Sequence, residues 1–231
     1  MRAILFDLDG TLLDLDLSSF LERYFRALDD AARPLFPDGT GHSRFMAALH
    51  AAVGRMMEQH PGVTNQRVFF NDLRDATGFD LEAHWHVFEG FYRDVFPSLA
   101  GDARPAKGAR RVLELAHGLG LKTAIATNPI FPRIAVDHRI AWAGLADMPI
   151  DAVTTYETME ACKPHPGYFR QTAHLLRVDT TECMMVGDDR MLDIPASDVG
   201  MTTFYVGRHE GVAADFSGDL DDLADLLPRL L

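Results

Sequence analysis

The chain opens on an apolar run, Ala3-Ile4-Leu5-Phe6, that stops at Asp7-Leu8-Asp9-Gly10-Thr11. A run this short and this apolar predicts a strand buried on both faces, with two carboxylates at its end. The pattern then changes to helical spacing. Ser19-Phe20-Leu21-Glu22 reads as a capping box, and Phe20, Tyr24, Leu28 and Ala31 recur along one face. Pro34 and the Pro37-Asp38-Gly39 turn stop this helix. A second helix is predicted from Ser43, with Phe45, Leu49, Ala52 or Val53, and Met56 on one face, and His60-Pro61-Gly62 breaks it. Thr64 caps a third, which carries Val68 and Leu73 and ends at Gly78. Asp80 caps a fourth, with Leu81, Trp85, Phe88, Tyr92 and Val95 ahead of Pro97. Residues 15–99 thus read as about four amphipathic helices with no strand between them, able to bury their own stripes as a small bundle.

From residue 97 to 107 the chain is rich in Pro, Gly and Ala. Helix and strand alternate after it: helices over 105–117, 132–142, 166–177 and 220–227, strands over 121–127, 151–156, 182–187 and 201–206. That alternation predicts a doubly wound α/β fold, a parallel five-stranded Rossmann-like core covered on both faces. The core takes residues 1–14 and 100–231, and an all-α domain over 15–99 interrupts it. Gly118-Leu119-Gly120 lies between a helix and the following strand. A dinucleotide loop needs the reverse order, so these glycines are read as a helix end.

Composition narrows the partners. The 231 residues are 47% hydrophobic and 24% charged, with a formal net charge of -12. That balance argues against nucleic acid or an anionic membrane as partner, since both reward clustered Lys and Arg. An anionic small molecule stays compatible if a cation is held locally. The two cysteines, Cys162 and Cys183, form no C-x-x-C pair and read as plain thiols. No run of 18 apolar residues and no leader pattern is present, so the expectation is a cytoplasmic protein. The ten histidines are scattered, with no H-E-x-x-H, and His84 and His86 do not share a helix face. Oligomeric state leaves no mark in the sequence.

Ligands of open parallel sheets bind outside the carboxyl ends of the strands. There the chain carries Asp7 and Asp9, then Thr127-Asn128, then Gly187-Asp188-Asp189 with Asp193 just beyond. Lys163 precedes a predicted helix in Cys162-Lys163-Pro164-His165-Pro166. Carboxylates at Asp7, Asp9 and Asp188 suit a hard divalent cation such as Mg2+. The cation and Lys163 offset the charge of a phosphate monoester, while Thr127 and backbone N–H groups donate to its oxygens. A carboxylate is a competent nucleophile toward phosphorus, and a second carboxyl two residues on can pass a proton to the leaving oxygen.

Asp7-Leu8-Asp9-Gly10-Thr11, Thr127-Asn128, Lys163-Pro164-His165-Pro166 and Gly187-Asp188-Asp189-Arg190-Met191-Leu192-Asp193 follow in order. Together they resemble the motifs of the haloacid dehalogenase superfamily of phosphohydrolases, and residues 15–99 lie where that family inserts its helical type-1 cap. The resemblance implies Asp7 as nucleophile and Asp9 as general acid/base. It implies Thr127, Asn128 and Lys163 on the phosphoryl oxygens, and Mg2+ on Asp7, Asp188 and the Asp9 main-chain carbonyl. Asp193 would orient Lys163 or a metal-bound water, unless it merely caps the helix before Gly200. Cap residues Arg33, His42, Arg44 and Arg55 are candidates to reach the substrate, a small phosphorylated metabolite, although charged cap residues usually just face water. Related readings are a 2-haloacid dehalogenase and a sugar phosphomutase. A non-catalytic phospho-acceptor switch is the reading from another class.

Overall fold

A computed structural model describes residues 1–37, 39–208 and 211–231. In chain order, β1 (Ala3–Phe6) and β2 (Leu13–Asp14) precede the helices α1 (Leu17–Ala32), α2 (His42–Met56), α3 (Asn65–Thr77) and α4 (Trp85–Gly90). Next come β3 (Arg104–Pro105), α5 (Ala109–Gly118), β4 (Lys122–Ile125), α6 (Arg133–Trp142), β5 (Ala152–Val153) and α7 (Pro166–Leu175). The chain closes with β6 (Cys183–Gly187), β7 (Thr202–Val206), β8 (Phe216–Gly218) and α8 (Leu220–Leu226).

The main sheet has six strands in the order β5-β4-β1-β6-β7-β8, all parallel. The five-stranded expectation is therefore corrected to six. The added strand is three residues long and pairs Phe216 with Phe204 at the sheet edge. So short a segment has no periodicity to read. β1 lies in the middle, with Phe6 level with Ile125 of β4 and Val186 of β6. Residues that follow these three strands accordingly emerge side by side.

Alternation along β1 assigns the two faces. Ala3 and Leu5 join a cluster with Met185, Tyr168, Phe169 and Ala173, under α7. Ile4 and Phe6 join the larger cluster, with Val112 and Leu113 of α5, Val136 of α6 and Leu223 of α8. The same cluster runs on into the inserted helices through Phe20, Tyr24, Phe45, Leu73 and Phe96. Phe96 stacks on Trp142 of α6 at 5.4 Å and 9°, and Phe20 meets both rings edge-on. One apolar body thus unites the insertion with one face of the sheet.

The connections into and out of the insertion are tied together. β2 and β3 form an antiparallel pair, and Arg104 Nη2 meets Asp14 Oδ2 at 2.5 Å. Within the insertion, the cap of α1 is Asp16, whose Oδ1 accepts from Ser19 N at 3.0 Å. The box predicted at Ser19 is displaced because an acid three residues earlier reaches the free N–H first. Thr64 caps α3 and Gly78 closes it, as predicted. The fourth helix is broken into a turn, α4, a π turn at Phe91–Val95 and a 3-10 turn at Phe96–Ala100. α5 starts at Ala109, four residues after the predicted Pro105, which is spent in β3. Asp38 of the predicted Pro37–Gly39 turn lies outside the described residues, as do His209 and Glu210. Among the described residues no helix is long and apolar enough to cross a membrane.

Candidate active site

The ends of β1, β4 and β6 open into a pocket of about 200 Å3, lined among others by Asp7, Asp9, Thr127, Asn128, Lys163, Asp188, Asp189 and Asp193. Every polar side chain singled out at the sheet edge is brought into it. Leu15 and Leu17, from the entry to the insertion, add an apolar wall.

Asp7 follows β1 directly, and its N–H donates to Val186 O at 2.8 Å, which continues the β1–β6 ladder. The chain then turns sharply: Thr11, Leu12 and Leu13 all donate to Leu8 O. Gly10 makes the turn possible at φ +92°, and a Cβ there would meet Asp188 Oδ2 at 2.3 Å. A side chain at Gly10 would be both strained and in the way of a carboxylate. Thr11 Oγ1 donates to Asp188 Oδ1 at 2.9 Å. The Asp-x-Asp-Gly-Thr stretch therefore carries two acids and also seats a third from β6.

Lys163 is 2% exposed. Its Nζ donates to Asp7 Oδ1 at 2.7 Å and to Asp193 Oδ1 at 2.6 Å. Its backbone N–H donates to Asn128 Oδ1 at 3.2 Å, so Asn128 orders the lysine loop from across the pocket. Asp193 stands at the start of the 3-10 helix Ile194–Val199 but makes no side-chain cap bond there. Its other oxygen accepts from Asp189 N at 3.0 Å. A Cβ on Gly187 would lie 2.1 Å from that oxygen, so the glycine keeps the space for it. Asp189 closes its own turn, accepting from Met191 N and Leu192 N. Thr127 is held through its carbonyl, which accepts from Thr154 Oγ1 at 2.6 Å and Tyr168 OH at 3.0 Å.

The charges do not balance. Asp7, Asp188 and Asp193 each place a carboxylate oxygen within 4.8 Å of the others, and one ammonium faces them. Two surplus negative charges in a half-buried pocket suit a divalent cation, and oxygen donors suit a hard one. The acids register the imbalance. Burial, and then the charge of Asp7, push the Asp188 carboxyl up to about 6. Burial also raises Asp193, against the pull of Lys163. For Lys163, burial alone would lower the pKa; the carboxylates of Asp193 and Asp7 outweigh it and hold the ammonium charged.

Asp9 has a partner that the sequence reading missed. Arg139 of α6 donates through Nη1 to Asp9 Oδ2, and the arginine is 1% exposed. Burial raises the Asp9 carboxyl and Arg139 opposes that rise. The available signal was an arginine inside the α6 apolar stripe, beside the buried Ala135, Val136 and Ile140. The four basic candidates of the insertion stay within it. Arg33 pairs with Asp29, His42 lies 3.5 Å from Asp29, and Arg55 meets Glu58 and Asp72. Arg44 donates to Ala76 O. None of the four lines the pocket. Instead, Asn65 at the start of α3 is fully buried. Its Nδ2 donates to Pro129 O at 2.9 Å and its N–H to Met159 O at 2.8 Å. Cys162 and Cys183 are buried and unpaired, and burial pushes both thiols up to about 12, which leaves them inert packing groups.

Comparison with known proteins gives this geometry relatives. Protein Suppressor of Quenching 1, chloroplastic, of Arabidopsis thaliana is 29% identical over 200 residues, which span 81% of this chain and 16% of that protein. A phosphoglycolate phosphatase of Cupriavidus necator is 27% identical over 234 residues, covering 99% of this chain and 92% of its own. Among solved structures, a HAD phosphatase from Thermococcus onnurineus superposes with a TM-score of 0.59 at 25% identity over 98% of both chains. A 2-haloacid dehalogenase from Pseudomonas syringae pv. Tomato DC3000 does so at 0.62, with 21% identity over the whole of both chains, and shares the fold. The family model for haloacid dehalogenase-like hydrolases matches residues 1–197. The chain belongs to the haloacid dehalogenase-like hydrolase family.

Proposed function

We propose that this protein hydrolyses a small phosphate monoester in a Mg2+-dependent reaction, through a phosphoryl group carried on Asp7. The observation that carries the reading is one pocket holding Asp7, Asp9, Thr127, Lys163 and Asp188 with its negative charge in excess. Asp7 attacks phosphorus, the bond to the leaving oxygen breaks, and that oxygen takes a proton from Asp9. Water then attacks the phosphoryl group, gives its proton to Asp9, and frees Asp7. Lys163 and Thr127 meet the phosphoryl oxygens, with Asn128 beside them. Bound Mg2+ would offset the charge of the phosphoryl oxygens. Asp7, Asp188 and the Asp9 carbonyl would hold it. Asp193 has both oxygens occupied, so we assign it to holding Lys163. In this reading residues 15–99 are a cap over the pocket, and residues 1–14 with 100–231 are the catalytic core.

A phosphate-release panel tests the reading. It includes phosphoglycolate, on which the Cupriavidus relative acts by name, with sugar and other alkyl phosphates. We expect release from at least one member with Mg2+ and none in EDTA. A 2-haloacid that yields halide while no phosphate ester is cleaved would contradict it. Asp9 argues against that branch, since expelling halide needs no proton donor. Isomer formation from a hexose 1-phosphate would mark a mutase.

The metal assignment has its own test. A carboxyl raised in the folded state binds its proton more tightly there than in the unfolded chain. In metal-free protein, stability from Asp188 therefore rises as pH falls from about 6 toward the unfolded value. At pH 7 the charge is a burden that the cation relieves. Asp188→Asn is expected to raise the Tm of EDTA-treated protein at pH 7 by about 2–4 °C. It should also abolish the further rise that Mg2+ gives the wild type. Thermal melts with and without Mg2+ decide; a lowered Tm in EDTA contradicts the assignment.

A further inference from the structure

Arg139 is a buried charge whose one ion-pair partner among the described residues is Asp9. Its Nη1 is taken by Asp9, while Nε, Nη2 and the other Asp9 oxygen, Oδ1, have no partner among the described residues. The guanidinium lies 4.5 Å from the centroid of the Phe131 ring, which packs in turn on Phe20, Tyr24 and Phe96. A guanidinium withdrawn from water is costly unless its charge is met. Here Asp9 meets it from one side and an aromatic face from another. The arginine is wedged where the core helix α6 and the insertion join, so its position is set by packing rather than by solvent. The carboxylate it grips lines the pocket and follows the nucleophile by two residues.

We propose that Arg139 is the positioning residue for Asp9, an inference that rests on the phosphatase reading above. Through Nη1 it fixes the orientation of the Asp9 carboxyl that exchanges the proton. In the first step the bond from phosphorus to the leaving oxygen breaks, its electron pair stays on that oxygen, and the proton comes from Asp9. In the second, water attacks phosphorus, its proton goes to Asp9, and the bond from phosphorus to Asp7 breaks. Arg139 touches neither substrate nor phosphorus. Its effect should therefore scale with how much the leaving group needs the proton.

The test compares Arg139→Lys and Arg139→Met with the wild type, as full chains with Mg2+, on an alkyl phosphate and on p-nitrophenyl phosphate. Nitrophenolate leaves without a proton and an alkoxide does not. On the alkyl ester we expect first-turnover rates lower by about 10-fold for Arg139→Lys and about 100-fold for Arg139→Met, a proton-transfer loss. KM should stay within about threefold. The first-turnover burst of nitrophenolate should slow by less than about threefold, since that step bypasses Asp9. Equal losses on both esters would mean that Arg139 only supports the fold, and would overturn the inference alone. Unchanged rates on both would also overturn it. If Arg139→Met does not fold, Arg139→Lys, which keeps the charge, decides by the same contrast. A wild type that releases phosphate from neither ester overturns this inference together with the reading beneath it.

Discussion

Asp7→Asn is expected to lower kcat by at least about 10^4-fold, or about 5.5 kcal/mol of lost transition-state stabilisation. An amide oxygen is a poor nucleophile toward phosphorus, and no other described group stands in for it. Lys163 Nζ holds Asp7 Oδ1 at 2.7 Å, and Asp193 holds the same ammonium at 2.6 Å. Asn accepts the same hydrogen bond through its carbonyl, so the fold should persist while the chemistry stops. Circular dichroism and melting should match the wild type within about 1 kcal/mol. Residual turnover above about 1% would place the phosphoryl transfer elsewhere.

Lys163→Met carries the second large effect, on stability as well as activity. The ammonium is 2% exposed and meets two acids in the pocket. Removing one partner of a buried ionic group costs about 3–5 kcal/mol, because the charges left behind stay buried. For a chain of this size that is on the order of 10 °C in Tm. The sign with pH follows from the acids. Burial has already raised Asp193, and burial with the charge of Asp7 has raised Asp188 to about 6. Without the lysine both carboxyls bind protons more tightly still in the folded state. The deficit of the variant should therefore shrink as pH falls from 7 to about 5 and widen above 7. Melting curves of variant and wild type across that range measure it. Phosphate release should fall about 10^2–10^3-fold at the same time, as expected for losing a preorganised charge at the transferring group. A pH-independent deficit would detach Lys163 from Asp193 and Asp7.

What the sequence disclosed and what it hid follow from the range of the forces involved. β1 was legible because burial on both faces demands an unbroken apolar run, and its acids stood out because a buried strand does not otherwise end on them. Thr64 and Gly78 were legible because a helix is capped by its own neighbours. The site residues after β1, β4 and β6 were legible as a set because parallel strands in one sheet share a carboxyl edge. β2, β3 and β8 were not, since strands of two or three residues are too short to show a period and exist only through their pairing partners. The same holds for Arg139. It stands among the buried apolar positions of its helix, but the acid it meets is 130 residues away. The insertion's basic residues, candidates for the substrate whose ordinary place is a solvated face, pair with neighbours within the insertion, Arg33 with Asp29 and Arg55 with Glu58. The long fourth helix is broken into shorter turns, the last of which carries Phe96 against Phe131 and Trp142.

In the proposed reaction the phosphoryl group passes through the side chain at position 7. Acid-quenching the enzyme during turnover, reducing any acyl phosphate with borodeuteride and sequencing the peptides by mass spectrometry reads this directly. The account predicts deuterated homoserine at Asp7, with Mg2+ and substrate both required. Turnover without any reduced residue, or with the label on Asp9, Asp188 or Asp193 instead, would contradict it.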